Sequence, residues 1–159
     1  RAVGAARDPA GADPTGRRLH RAVDVRVVPV ATGGRVARVG ATVVRYARPR
    51  LIGRAAIQWI EWSNGNGFLR IGLGSADDRG KGYGSQALQM LLRFAFAELN
   101  LFRVSAIVPE YNEAAIALLK KFGFVQEVCR RKSLERDGRR WDLYVFGLLK
   151  DEWLYQAEA

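Results

Sequence analysis

The chain has 159 residues, 48% of them hydrophobic, and a formal net charge of +10. That length supports one domain around one core, and that apolar content argues against global disorder. No apolar run of about eighteen residues spans a membrane, residues 1–30 lack the apolar stretch of a secretory signal, and the single cysteine, Cys129, cannot close an intrachain disulfide.

These features fit a reduced, cytoplasmic compartment, with Cys129 expected as a small buried apolar residue. The chain begins at Arg1 rather than Met, as a fragment or processed chain would. Its charge is uneven: residues 1–50 hold eleven Arg and three Asp, a surplus of +8, and the remainder carries only +2. The same fifty residues contain no Lys, Glu, Asn, Gln, Ser, Ile, Phe, Trp, Met or Cys. An alphabet so rich in Arg, Ala, Val and Gly has three readings: a frame-shifted or wrongly started stretch, a disordered basic arm that binds RNA, or a strand pair around "RVARVGATVVRYA". Residues 1–50 are therefore separated from a regular core at 51–155.

From Leu51 the patterns are regular. "LIGRAAIQWIEW" (51–62) is β-rich, "SNGNG" (63–67) is a turn, and "FLRIGLG" (68–74) alternates Leu69, Ile71 and Leu73 as the returning strand. Residues 85–99 place Leu88, Leu91, Leu92, Ala95 and Leu99 at helical spacing, and "LFRVSAIVP" (101–109) alternates as a strand. Residues 112–124 predict a second helix, with Asn112 as N-cap and Gly123 as terminator. Residues 124–136 and 139–150 form a hairpin about Asp137-Gly138. The order is β-β-α-β-α-β-β, a mixed α/β (α+β) domain with one parallel crossover. Trp59 and Trp62 read as sheet packing or as a substrate-stacking surface. The basic stretch 129–140 reads as a solvated hairpin or as an attraction for nucleic acid.

Between strand and helix lies "SADDRGKGYGSQAL" (75–88). Glycines at a helix start let an anion approach backbone N–H groups that lack partners, in the favourable field of the helix dipole. Gly82 and Gly84, with Arg79 and Lys81 adding charge, predict a phosphate or pyrophosphate site; the alternative is a tight turn packing a helix on a sheet. A Walker A loop requires Ser or Thr after the lysine, and Gly82 follows Lys81. Gly82-Tyr83-Gly84-Ser85-Gln86-Ala87 matches a dinucleotide fingerprint, but "SADDR" and an antiparallel hairpin precede it, the wrong context for that motif. No His/Cys cluster suggests a metal.

Arg79-Gly80-Lys81-Gly82-Tyr83-Gly84 resembles the Arg/Gln-x-x-Gly-x-Gly/Ala pyrophosphate loop of the GNAT superfamily of acyl-CoA N-acyltransferases. "YNEAAIALLKKFGF" (111–124) resembles that superfamily's later helix, opened by Asn and closed by Gly-Phe. "DLYVFGLLKDEW" (142–153) is similar to the branch that holds ribosomal-protein and spermidine acetyltransferases. The resemblance covers about residues 51–155. It implies a mostly antiparallel central sheet with helices on both faces, and acetyl-CoA as co-substrate without a metal. Gly72, Leu73 and Gly74 would pair with the pantetheine arm, the backbone N–H of Leu73 polarising the thioester carbonyl. Arg79, Gly80, Lys81, Gly82, Tyr83, Gly84 and Ser85 would hold the pyrophosphate, and Asn112 would bond the pantetheine or pyrophosphate region. The strands 68–74 and 101–109 would splay to admit the cofactor.

The implied reaction is direct attack of an amine, on a small molecule or a protein N-terminus, upon the thioester. Glu110, at the end of strand 101–109, is the first candidate to take the amine proton, and Glu61 the second. The superfamily's thiolate-protonating Tyr, seven residues after the helix-opening Asn, is here Leu119. Tyr111 and Tyr144 are the substitutes, each also readable as a packed aromatic. Two other functions stay open: an acyl-CoA-binding domain with little turnover, and an RNA-binding protein acting through its basic arm. A homodimer is a candidate assembly; nucleic acid and membrane are not expected partners.

Overall fold

The computed structural model describes residues 23–30, 37–45 and 50–158. The described strands form one seven-stranded sheet in the order β1-β2-β3-β4-β5-β7-β6. In chain order these are β1 (Val23–Val30), β2 (Ala37–Arg45), β3 (Arg50–Glu61), β4 (Asn66–Leu73), β5 (Arg103–Pro109), β6 (Val125–Arg136) and β7 (Arg139–Leu149). The helices are α1 (Tyr83–Arg93), α2 (Glu113–Lys121) and α3 (Lys150–Glu158). Only β4 and β5 pair in parallel; the other described pairs are antiparallel. The β-β-α-β-α-β-β order expected from residue 51 is present, and α3 follows it. β1 and β2 pair with each other and extend the sheet beyond β3, so the backbone of residues 23–30 and 37–45 is strand. The readings offered for residues 1–22, the basic arm among them, lie outside the described residues.

The core explains the periodicities. Leu88, Leu91, Leu92, Ala95 and Phe96 bury one stripe of the first helical segment against Leu69 of β4, Val104, Ala106 and Val108 of β5, and Phe146 and Leu148 of β7; Leu119 of α2 joins them. The helix expected over 85–99 begins two residues earlier and widens to a π-turn at Phe94–Glu98, closed by Leu99 N–H donating to the Phe94 carbonyl at 2.9 Å. Trp153 of α3 packs on Phe96 with ring centroids 5.3 Å apart. Trp59 occupies a bulge of β3 at φ +50° and meets Phe68 edge-on at 5.6 Å, and both Trp59 and Trp62 are exposed. Cys129 corrects an expectation: it is exposed. It lies on β6, a strand at one edge of the sheet, where every described side chain except Leu134 is exposed.

A second, smaller cluster sets the start of α1. Tyr83 and Ala87 pack on Ile52 of β3, with Ile71 and Leu73 of β4 against them. The first turn of the helix is thus nailed to the C-terminal end of β4. β3 can approach β4 closely there because residue 53 is glycine: a Cβ at Gly53 would lie 2.5 Å from the Gly72 carbonyl oxygen and 3.0 Å from Leu73 Cδ2. Since the first of these is backbone, Gly53→Ala must displace β4. The expected loss is about 1–3 kcal/mol in urea unfolding, typical of overpacking. Unchanged stability would show that β4 yields freely.

Candidate active site

β4 and β5 pair through four residues, Asn66 to Leu69 with Arg103 to Ala106, and then part. β4 keeps its register with β3 as far as Leu73, and β5 keeps its register with β7 as far as Pro109. A gap therefore opens between two strands that are each held from outside. Gly74 donates its N–H to the Ile52 carbonyl at 2.8 Å, toward β3. Successive peptide groups of a strand alternate in direction, so the N–H groups of Leu73 and Ile71 face the gap. Leu73, expected as the carbonyl-polarising donor, thus has its N–H on the gap side. Ile71 points the same way one step deeper, and sequence reasoning missed it because alternation has no phase until one hydrogen bond is known.

The gap widens into a cleft of about 740 Å³ between the starts of α1 and α2, a volume typical of ligand pockets. On the α1 side, Ser75 Oγ accepts from Asp77 N–H at 3.3 Å and starts a 3-10 turn over Ala76–Asp78. Arg79 is extended, and Gly80 and Gly82 take the left-handed conformation at φ +71° and +82°. Gly82 is the N-cap of α1 and brings no side-chain cap. The first intrahelical bond runs from Gln86 N–H to the Gly82 carbonyl. The N–H groups of Tyr83, Gly84 and Ser85, which precede that bond, therefore lack intrahelical acceptors at the positive end of the helix dipole. A Cβ at Gly80 or Gly82 would meet nothing within 4 Å, and one at Gly84 only Leu118 Cδ2 at 3.6 Å. The space beside these amides is open, and the donor set suits a phosphate.

The α2 side is built differently. Asn112 Oδ1 accepts from Ala115 N–H at 3.2 Å and caps the helix. Ala115 and Leu118, three residues apart, line the cleft with Ala114 and Tyr111. Leu119 turns away: it is 3% exposed and sits in the core.

Of the residues expected to form the site, Gly72, Leu73, Arg79, Gly80, Gly82, Tyr83, Gly84, Ser85, Tyr111 and Asn112 line the cleft. Gly74 does not, because its N–H is committed to β3, and neither does Lys81, which is exposed outside it. The ring of Tyr83 is buried in the smaller cluster, so its contribution is its backbone. Sequence reasoning missed Asp78, Ala114, Ala115, Leu118 and Arg136. The α2 residues carried a helical-spacing signal; Arg136, from the β6–β7 hairpin, carried none.

The proton-transfer candidates separate clearly. Glu110 is not on the cleft wall but adjoins Tyr111, which is. Its N–H donates to the Asp142 carbonyl at 3.0 Å, and its Oε2 accepts from Asp142 N–H at 3.0 Å. One carboxylate oxygen therefore clamps β5 to β7. Glu61 accepts from the side-chain amides of Asn64 and Asn66 at the β3–β4 turn, at the opposite end of β4, roughly 20 Å from Leu73 along the strand. That distance removes it from the cleft. Tyr144 is half-buried on β7; burial first, then the Glu110 charge, raises its pKa. Among the described residues no three His, Cys, Asp or Glu side chains converge on a metal position, and no helix is long and apolar enough to cross a membrane.

Asp142 staples β6 to β7: its Oδ1 accepts from Lys132 N–H at 2.8 Å and its Oδ2 from Cys129 Sγ–H at 3.5 Å. The Lys132 backbone hydrogen bond is the main reason its pKa is lowered. A depressed folded-state pKa stabilises above the unfolded value of about 3.9 and is lost as pH falls through the folded value. Asp142→Asn should therefore lower the melting temperature near neutral pH and flatten its fall below about pH 4, read by thermal unfolding across pH. An acid limb as steep as that of the unsubstituted chain would rule out this staple.

Residues 15–125 match the family profile described as an acetyltransferase (GNAT) domain. The uncharacterized N-acetyltransferase p20 of Bacillus licheniformis is 36% identical over 103 residues, 65% of this chain and 57% of its own length. The putative ribosomal N-acetyltransferase YdaF of Bacillus subtilis is 38% identical over 74 residues, 46% of this chain and 40% of its own. The chain spans about half the length of the curated relatives it matches. Among solved structures, spermidine N-acetyltransferase from Vibrio cholerae in complex with CoA and spermine superposes with a TM-score of 0.68 at 23% identity, over 74% of this chain and 68% of that one. At that identity the likeness establishes the fold. With the profile covering well over half of the sequence, the chain belongs to the GNAT acetyltransferase family.

Proposed function

We propose that this chain binds acetyl-CoA in the α1–α2 cleft and transfers the acetyl group to a primary amine, on a small molecule or a protein N-terminus, by direct attack in a ternary complex. The observation that carries this reading is the uncapped, glycine-opened start of α1 beside the unpaired N–H groups of β4. The first suits a pyrophosphate, the second a pantetheine arm and a thioester carbonyl. Family membership and the neighbouring spermidine N-acetyltransferase, seen with CoA and spermine, support it. The acyltransferase core is residues 51–155, and the cytoplasm, where acetyl-CoA and reduced thiols coexist, is its compartment.

In this reading Leu73 N–H, with Ile71 N–H behind it, polarises the thioester carbonyl. An alkyl amine of pKa near 10 arrives mostly protonated at neutral pH. The Glu110 oxygen not bonded to Asp142 accepts its proton, directly or through a water. The Tyr111 hydroxyl, on the cleft wall, returns a proton to the departing thiolate. Most of the rate comes from holding two substrates in one gap.

Gly82→Val puts a β-branched side chain at φ +82° in the space the phosphate would fill. We expect CoA binding to vanish by calorimetry while unfolding stays cooperative, and normal binding by this variant would refute the site. Glu110→Gln and Tyr111→Phe should each lower kcat by roughly 10²–10⁴-fold, with the KM for acetyl-CoA little changed. Thiol release over a panel of primary amines measures this. An unaltered kcat in either variant removes that residue from the mechanism.

A further inference from the structure

The gap between β4 and β5 opens on two faces of the sheet, and the cleft occupies one of them. Leu69, Ala106 and Phe146 point to the face on which α1 and α2 pack, and Ile71 and Leu73 point there too. Side chains alternate along a strand, so Arg70 and the Cα–H of Gly72 belong to the opposite face. Cross-strand partners share a face, and Arg54 of β3 is paired with Gly72. Ile107, next after Ala106 on β5, is also on that face and is 40% exposed. Arg70 is the first β4 side chain on this face beyond the point where β4 and β5 part. Gly72 lines the cleft with its backbone, and a Cβ there would meet nothing within 4 Å. No side chain of β4 therefore blocks the gap at Gly72 from the opposite face.

The cations on this face differ in how they are held. Arg103 forms an ion pair with Glu127 above Gly147, where a Cβ would collide with both, and its Nε–H donates to Ser105 Oγ at 3.3 Å. Arg54 and Arg70 are exposed, and among the described residues no ion pair engages either of them. They are diagonal neighbours on adjacent antiparallel strands, a spacing of about 7–8 Å. Two long guanidinium side chains at that spacing repel each other and can both reach one anion.

Their position matters for the second substrate. A cofactor in the α1–α2 cleft fills the first face, so an amine that attacks a thioester in the gap arrives from the opposite one. Arg70 is three positions before Leu73, roughly 10 Å along the strand, and Arg54 stands beside Gly72. The Glu110 carboxylate, bonded to Asp142 N–H in the place of a ladder carbonyl, lies in the plane of the sheet rather than on the cofactor's side.

We propose that Arg54 and Arg70 select the acceptor: a primary amine that carries a carboxylate or phosphate a few bonds from its amino group, in preference to an uncharged amine or a polyamine. This inference rests on the acetyl-transfer reading given above and narrows its acceptor. The anion takes paired N–H bonds from the guanidinium groups, and Ile107, across the gap from Arg70, gives the intervening carbon chain an apolar contact. The second ammonium group of a polyamine would meet two like charges in the same place, a repulsion that discriminates as much as the new bonds do.

The test compares γ-aminobutyrate, n-butylamine and putrescine, acceptors of the same chain length and different charge, by thiol release from acetyl-CoA. The unsubstituted chain should favour γ-aminobutyrate over n-butylamine by roughly 10- to 100-fold in kcat/KM, as charge-assisted hydrogen bonds require, and should use putrescine least. The double variant Arg54→Gln, Arg70→Gln should lose that preference through the KM of γ-aminobutyrate, with the KM of acetyl-CoA unmoved. Arg70→Glu should turn the preference toward putrescine. Short peptides with Asp or Asn at the second position extend the comparison to a protein N-terminus, and a preference for Asp there but not among the small amines assigns the anion to a peptide. No advantage for the anion in either series, a preference for putrescine, or equal loss with every acceptor in the double variant would each overturn this inference and leave the acetyl-transfer reading intact. Absence of thiol release with every amine would overturn both.

Discussion

The separation of β4 from β5 after Leu69 and Ala106 is the constraint from which the rest of the site follows. Inside a sheet, parting two strands leaves backbone donors and acceptors without partners, and such groups are costly unless water or a ligand serves them. Here the opening is held from both sides. β4 stays zipped to β3 through Leu73, and β5 stays zipped to β7 through Pro109. The cluster of Ile52, Tyr83 and Ala87 pins the first turn of α1 to one lip, and the mutual bonds of Glu110 and Asp142 pin the other. The gap is therefore a rigid feature of the sheet, and its unpaired N–H groups are preorganised donors.

The two helices that border the gap begin in opposite ways. Asn112 satisfies the start of α2 from within the chain. Gly82 leaves the start of α1 unsatisfied, with nothing within 4 Å of where its side chain would be. One helix terminus is capped from within the chain and the other opens onto the cleft. The difference depends on a single residue type at the N-cap: Asn accepts a backbone hydrogen bond, and Gly offers only its left-handed conformation and its lack of bulk.

The same logic reassigns the polar side chains near the end of β5. Glu110 serves the sheet with one oxygen, accepting from the Asp142 N–H. Asp142 is wholly structural, bridging Lys132 and Cys129 across the bulged outer hairpin. Tyr111 lies between, lining the cleft with the Arg136 guanidinium over its ring. The exposed edge strand β6 thereby ends in a tightly held tip: two positive-φ residues, two stacked cations and an indole hydrogen bond fix it beside the cleft.

Local physics made much of this legible in the sequence. The strand alternation of 68–74, the helical stripe of 85–99, the Asn112 cap and the crowded glycines at 80, 82 and 84 each depend on residues a few positions apart, and each has its expected place. What depended on neighbours distant in the chain was not legible. Cys129 lies on an edge, an outcome decided by which strand ends the sheet. Leu118 rather than Leu119 faces the cleft, because the docking angle of α2 sets which side of its apolar stripe is covered. Gly74 turns its N–H toward β3, which sets the phase for Leu73 and Ile71. Arg136 meets Tyr111, twenty-five positions earlier, through a hairpin register and a stacked ring. The sequence by itself determined the elements, their order and the glycine-rich turn before α1, since these follow from spacing, caps and backbone freedom. The tertiary structure alone decided which donors face the gap and which side chains line the cleft, since those depend on the pairing register and on packing between segments that never meet along the chain.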